Sequence, residues 1–138
     1  MNADIYGYGN RLIDAAWQGG FTQKYYLFAS DGNHNIDTKK FVPGNSTWGS
    51  WPDTKKAGPD WGSTYLTETS AHYHTTKTWD YFYSNFGRNG YDGNGLELRV
   101  ATQLPANNAY YYDPINSPHY IYFGKSATGY NYCFEQSV

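Results

Sequence analysis

Cysteine is almost missing from this chain. The single Cys133 among 138 residues excludes an internal disulfide and any C-x-x-C metal knuckle. Charge is scarce too: charged residues make up 16% of the sequence, against a typical ~25%. The net charge of -2 excludes the basic field that a nucleic-acid partner requires. No apolar run approaches the ~20 residues of a membrane span, and the opening MNADIYGYGN has neither the basic nor the apolar region of a signal peptide. There is no H-E-x-x-H, no G-x-S-x-G turn, and no pair of histidines three or four residues apart. Three glutamates, Glu68, Glu97 and Glu135, are too widely spaced in sequence to suggest a carboxylate pair.

Aromatic rings are abundant: 20% of the chain, with 16 tyrosines and 5 tryptophans. A chain of this length is most simply one domain that buries roughly two-thirds of its unfolded surface, so it needs no disulfide or metal merely to fold. No repeat or low-complexity linker divides residues 1–132, which read as one unit followed by a tail at 133–138.

The first two-thirds read mainly as short strands broken by turns. RLIDAAWQGG (11–20) suits a strand or a helical turn, and FTQKYYLFA (21–29) is a strand closed by the turn SDGN. HNIDTKKFV (34–42) suits its hairpin partner. The stretch from Pro43 to Gly62 is irregular but predicted to be ordered, because Trp48, Trp51 and Trp61 are too apolar to leave in water. A helix is predicted near 68–86, with Thr67 as its N-cap, Glu68 near the positive end, and Gly87 as the left-handed stop. Ala71, Thr75, Trp79, Phe82 and Phe86 form its inward stripe, adjoined by His72, Thr76 and Tyr83. LELRVATQL (96–104) alternates as a half-buried strand, with Glu97, Arg99 and Gln103 facing out. NAYYYD and HYIYFG give two more strands around the turn DPINSP (113–118).

His72 and His74 lie about 200° apart on a helix, so they cannot share a metal. One buried, hydrogen-bonded histidine and one exposed one is the expectation. Asp53 and Asp60, in the Trp-rich loop, are candidate calcium ligands, since calcium takes carboxylate oxygens from irregular loops; ordinary turn roles compete with that reading. The exposed Tyr and Trp also suit a non-catalytic carbohydrate-binding module that stacks sugar rings on aromatic faces.

The order of motifs carries further. SAHYHTTKTWDYFYSNFGRNGYDGNGLELRV, then NNAYYYD, then YIYFGKSATG, resembles the amino-terminal lobe of the thermolysin family of zinc metallopeptidases, over about Glu68 to Gly129. KYYLFASDGNHNIDTKKF looks like that family's early hairpin. The resemblance implies an α+β fold, with a strand-rich antiparallel sheet packed on the long helix. It implies a secreted (extracellular) metalloendopeptidase acting on peptide or protein substrates, with zinc and calcium in a full-length relative. Asn108 and Ala109 match the edge-strand residues that hold substrate backbone, Tyr110 the family's aromatic residue, and Tyr111 its tryptophan. Directly after this region the family places a helix carrying H-E-x-x-H, where this sequence has GYNYCFEQSV, and GKSATG lacks the acids of the family's G-D-G-x-G. The zinc ligands and the general base are therefore missing from these residues. The expectation is a peptide-binding lobe that holds no zinc, is inert alone, and is completed by a catalytic lobe.

Overall fold

The computed structural model describes residues 1–19, 24–29, 34–45, 47–115 and 117–125. The expected turn at 30–33, and Cys133 and Glu135, lie outside them. In chain order the strands are β1 (Asn2–Ile5), β2 (Gly9–Leu12), β3 (Ala16–Gln18), β4 (Lys24–Tyr26), β5 (Phe28–Ala29) and β6 (Ile36–Lys40). After a 3-10 turn at Trp48–Ser50 come β7 (Lys55–Lys56) and β8 (Asp60–Gly62), then the helix α1 (Leu66–Phe86). β9 (Leu98–Leu104), β10 (Ala109–Tyr112) and β11 (His119–Gly124) follow it.

This is the α+β architecture expected. Two three-stranded sheets, β2-β1-β8 and β3-β4-β7, flank a five-stranded sheet in the order β10-β11-β9-β6-β5. The sheet that carries the site is mixed. The outer pairs β5–β6 and β10–β11 are antiparallel hairpins, whereas β9 runs parallel to both β6 and β11. β9 is thus the central strand, hydrogen-bonded on both edges.

Period-two alternation assigns the sheet's two faces. Ile36, Leu98 and Val100 face α1 and form a core with Ala71 and Trp79, against which Ile121 and Phe123 pack. The opposite face carries Ala101 and is covered by Trp48 and Trp51, packed with Phe41, Tyr120 and Tyr122. Trp61 closes a third core with Ala3, Ile5, Ile13 and Leu27. The three loop tryptophans are therefore buried, as their size demands. Trp48 Nε1 donates to Asp37 Oδ2 at 2.8 Å, and Trp51 Nε1 to the Asn45 carbonyl at 3.0 Å.

The helix differs from expectation at both ends. Its N-cap is Tyr65, in the left-handed region at φ 61°, with no side-chain cap; Thr67 sits inside the first turn. Glu68 does more than face the helix dipole. Its carboxylate is buried and accepts from Thr102 Oγ1 at 3.0 Å and Gln103 Nε2 at 2.6 Å. Gln103 reaches inward, against the predicted alternation, because its backbone takes a positive φ of 60° where the β9–β11 register shifts. At the far end Gly87 is left-handed, as expected, and its N–H bonds to Phe82 and Tyr83 carbonyls. The inward stripe holds through Ala71, Thr75 and Trp79 and then stops. Phe82 is 41% exposed and Phe86 67%, because no described element packs over the helix beyond Trp79.

His72 is fully buried, with Nδ1 2.7 Å from Thr38 Oγ1; His74 is half-buried. Desolvation pushes the His72 imidazole down to about 3, against a smaller opposing effect of the Asp14 backbone.

Two outcomes follow. Trp79→Ala should cost about 3–5 kcal/mol of stability, and Phe82→Ala about 1 kcal/mol or less, as read by urea denaturation. Between about pH 3 and 6.5 the unfolded chain binds one more proton at His72 than the folded chain, so stability falls as pH drops through that window. The slope from this group is on the order of 1.4 kcal/mol per pH unit, and His72→Gln should remove it. Equal slopes in the two proteins would contradict the assignment.

Candidate functional site

The expected edge strand is an edge: β10 pairs with β11 alone and ends the five-stranded sheet. Tight local geometry sets it there. A Cβ on Gly124 would lie 2.0 Å from the Ala106 carbonyl oxygen and 2.3 Å from that of Asn108, so only glycine lets the incoming loop approach β11. The Gly124 N–H then donates to the Asn108 carbonyl at 2.9 Å.

That bond fixes the phase of the hairpin. In an antiparallel ladder, backbone groups turn alternately toward the partner and away from it. Asn108, Tyr110 and Tyr112 therefore turn theirs toward β11. Ala109 and Tyr111 turn theirs to the open edge. The Asn108 carboxamide accepts from the Ala109 N–H through Oδ1 at 2.8 Å, which leaves its NH2 group as the free donor. The edge thus offers the Ala109 carbonyl, both backbone groups of Tyr111 and the Asn108 amide nitrogen, and all three residues are exposed.

The side chains of the strand divide between the sheet's faces. Tyr111 lies on the α1 face, stacked on Tyr91 at 4.5 Å, with its hydroxyl 2.8 Å from His119 Nδ1. The same nitrogen lies 3.0 Å from Asp113 Oδ1. Desolvation, with Tyr91 and Asp113 adding to it, pushes the Tyr111 hydroxyl up to about 12, so it stays protonated at neutral pH. Tyr110 and Tyr112 project from the opposite face, where Tyr112 meets Tyr120 at 6.1 Å. The sequence reading did not single out Tyr91, Asp113 or His119 as members of this cluster. Asp113 and His119 bound the one turn that joins β10 to β11, whereas Tyr91 comes from the turn between α1 and β9.

Beside this hairpin the uncovered end of α1 borders a hollow of about 350 Å³ between the helix and β11. Trp79, Phe82, Leu98, Ile121 and Phe123 line it, with Arg88 among its walls. Trp79 Nε1 is buried and has no hydrogen-bond partner among the described residues.

The donor chemistry of the described residues does not fit a zinc ion. His34 is held against Asp80 at 2.8 Å, His72 is sealed in the core, and His119 is engaged at the hairpin. Asp53 pairs with Lys39 at 3.0 Å, and Asp60 accepts from the Gly62 N–H in its own turn at 3.0 Å. Among the described residues, no three His, Cys, Asp or Glu side chains are grouped to hold a metal. No helix of the described residues is long and apolar enough to cross a membrane.

No curated protein matches the chain. A family model does: the thermolysin metallopeptidase catalytic domain aligns with residues 5–136. The match extends the motif resemblance, which was clearest over 68–129, back through the early hairpin and the Trp-rich loop. Covering nearly the whole sequence, it places this chain in the thermolysin family of metallopeptidases.

Proposed function

We propose that these residues form the substrate-facing lobe of a secreted thermolysin-like metalloendopeptidase, and that β10 holds a substrate peptide as an added strand. The observation that carries this reading is the phase of the edge. The Ala109 carbonyl and both backbone groups of Tyr111 are left unpaired, in the pattern an added strand would meet. Main-chain pairing supplies affinity without regard to sequence, and the Asn108 amide adds a donor for a substrate carbonyl. Tyr110 and Tyr111, on opposite faces, flank alternate substrate side chains.

Family membership implies zinc chemistry, in which the metal polarises a scissile carbonyl and activates water. The residues here do not fit the zinc, so no step of hydrolysis is assigned to them. The catalytic lobe is proposed to seat over the hollow between α1 and β11. Phe82 lines the hollow and is exposed, with the exposed rings of Tyr81 and Phe86 against it, and the unpartnered Trp79 N–H is left for that lobe. A second element packed on that face would complete the inward stripe that the helix's periodicity sets up. Calcium and zinc would belong to the completed protein.

An apolar tetrapeptide titrated into the isotopically labelled chain should shift the backbone amide of Tyr111 and the side-chain amide of Asn108, and be recovered uncleaved. Asn108→Ala should weaken binding by about 1 kcal/mol, the usual net worth of a hydrogen bond. Shifts confined to other strands, or an unchanged affinity in Asn108→Ala, would contradict the assignment.

A further inference from the structure

The face of the sheet opposite α1 carries a second cleft that peptide pairing along β10 does not use. It has a volume of about 480 Å³ and lies between the Trp-rich loop and the β10–β11 hairpin. Its floor is tyrosine. Tyr120 and Tyr122, two residues apart on β11, stack on each other with planes 7° apart and centroids 5.7 Å apart. Tyr112, 57% exposed, extends the same surface from the neighbouring strand. Arg99 forms one wall. Its guanidinium lies over the rings of Trp48 at 5.6 Å and Tyr120 at 5.5 Å, donates to the Tyr120 hydroxyl at 2.7 Å, and pairs with Glu97. Thr47 and Ser117 add hydroxyls to the rim.

Three features select the ligand. The Glu97 carboxylate balances the one cation, so the cleft carries no net charge to attract an anion. The exposed Tyr112 ring, beside the stacked Tyr120–Tyr122 pair, suits a ligand with an apolar face. The surrounding groups are mostly hydroxyls, which donate and accept alike, so they match a partner that also carries both. A proline-rich segment offers carbonyl acceptors and rings but no donors from proline. A pyranose ring offers C–H faces together with hydroxyls that do both. We infer that the cleft formed by Tyr112, Tyr120, Tyr122 and Arg99 is a binding site for a neutral saccharide, separate from the peptide edge. Trp48 and Trp51 also line the cleft, but both are buried in the core behind it, so the ring surface open to a ligand is mainly tyrosine. This inference stands or falls independently of peptide binding at β10.

Cellohexaose, chitohexaose and a proline-rich decapeptide titrated separately into the labelled chain test it. At least one saccharide should give saturable shifts of the ring signals of Tyr112, Tyr120 and Tyr122 and of the Arg99 side chain. Tyr112→Ala and Tyr122→Ala should each weaken that binding about tenfold, the scale of a lost aromatic contact. Tyr81→Ala, exposed on α1 across the sheet, should leave it unchanged. Tyr112 is the more exposed of the two test positions, so its substitution keeps the test valid should Tyr122→Ala fail to fold. The inference is overturned if neither saccharide gives saturable shifts at millimolar concentration, if binding survives both substitutions, or if only the proline-rich peptide moves these signals.

Discussion

A buried polar seam on one helix holds this lobe together. On the five-stranded side, Glu68 accepts from Thr102 and Gln103, and His72 meets Thr38. On the side of the small sheet, Ser70 Oγ accepts the Tyr6 N–H at 3.0 Å, and Thr69 Oγ1, bonded to the Tyr65 carbonyl at 3.0 Å, also lies 3.3 Å from the Asp4 carbonyl. The first two turns of α1 thus bond to two different sheets at once. Buried polar groups left without partners are costly, so such a seam admits one registration of helix against sheets. Apolar contacts alone would tolerate sliding; these would not. The helix thereby fixes β6 and β9 beneath it, and β11 and then β10 extend the sheet from β9 through their own ladders.

The seam also divides the helix into two functional halves. The amino-terminal half is committed to holding the lobe, and the carboxy-terminal half beyond Trp79 is bare. The bare half and the edge strand lie at the same hairpin: Phe82 and Tyr91 border the hollow, and Tyr91 stacks on Tyr111. A partner element seated in the hollow would therefore stand beside any peptide paired to β10. That arrangement suits a bilobed peptidase, in which one lobe supplies a strand edge and the other the reacting groups.

Much of this was legible in the residues, and the parts that were not have physical reasons. Periodicity located α1 and its stop at Gly87, since both depend on local sequence alone. It put Phe82 and Phe86 in the inward stripe but could not say how far along the helix a partner extends. The start at Tyr65 was hidden because a left-handed tyrosine carries no capping signature. Alternation identified β9 but not its parallel pairing, because strand direction is set by connections made elsewhere in the chain. Gln103 broke the alternation through one positive φ that no composition rule anticipates. The edge at Asn108–Tyr111 came from the order of motifs. Behind Tyr111, Asp113 and His119 belong to its own hairpin, but Tyr91 arrives from the turn after α1, a long-range meeting that no local pattern encodes.

Hydrogen exchange along β10, with and without an extended apolar peptide, tests the account most directly. The amides of Tyr110 and Tyr112 face β11 and should be protected in the free protein, whereas the Tyr111 amide should exchange rapidly and slow when peptide is added. A Tyr111 amide already protected without peptide, or one that saturating peptide leaves unchanged, would contradict the reading of β10 as an open strand edge for substrate.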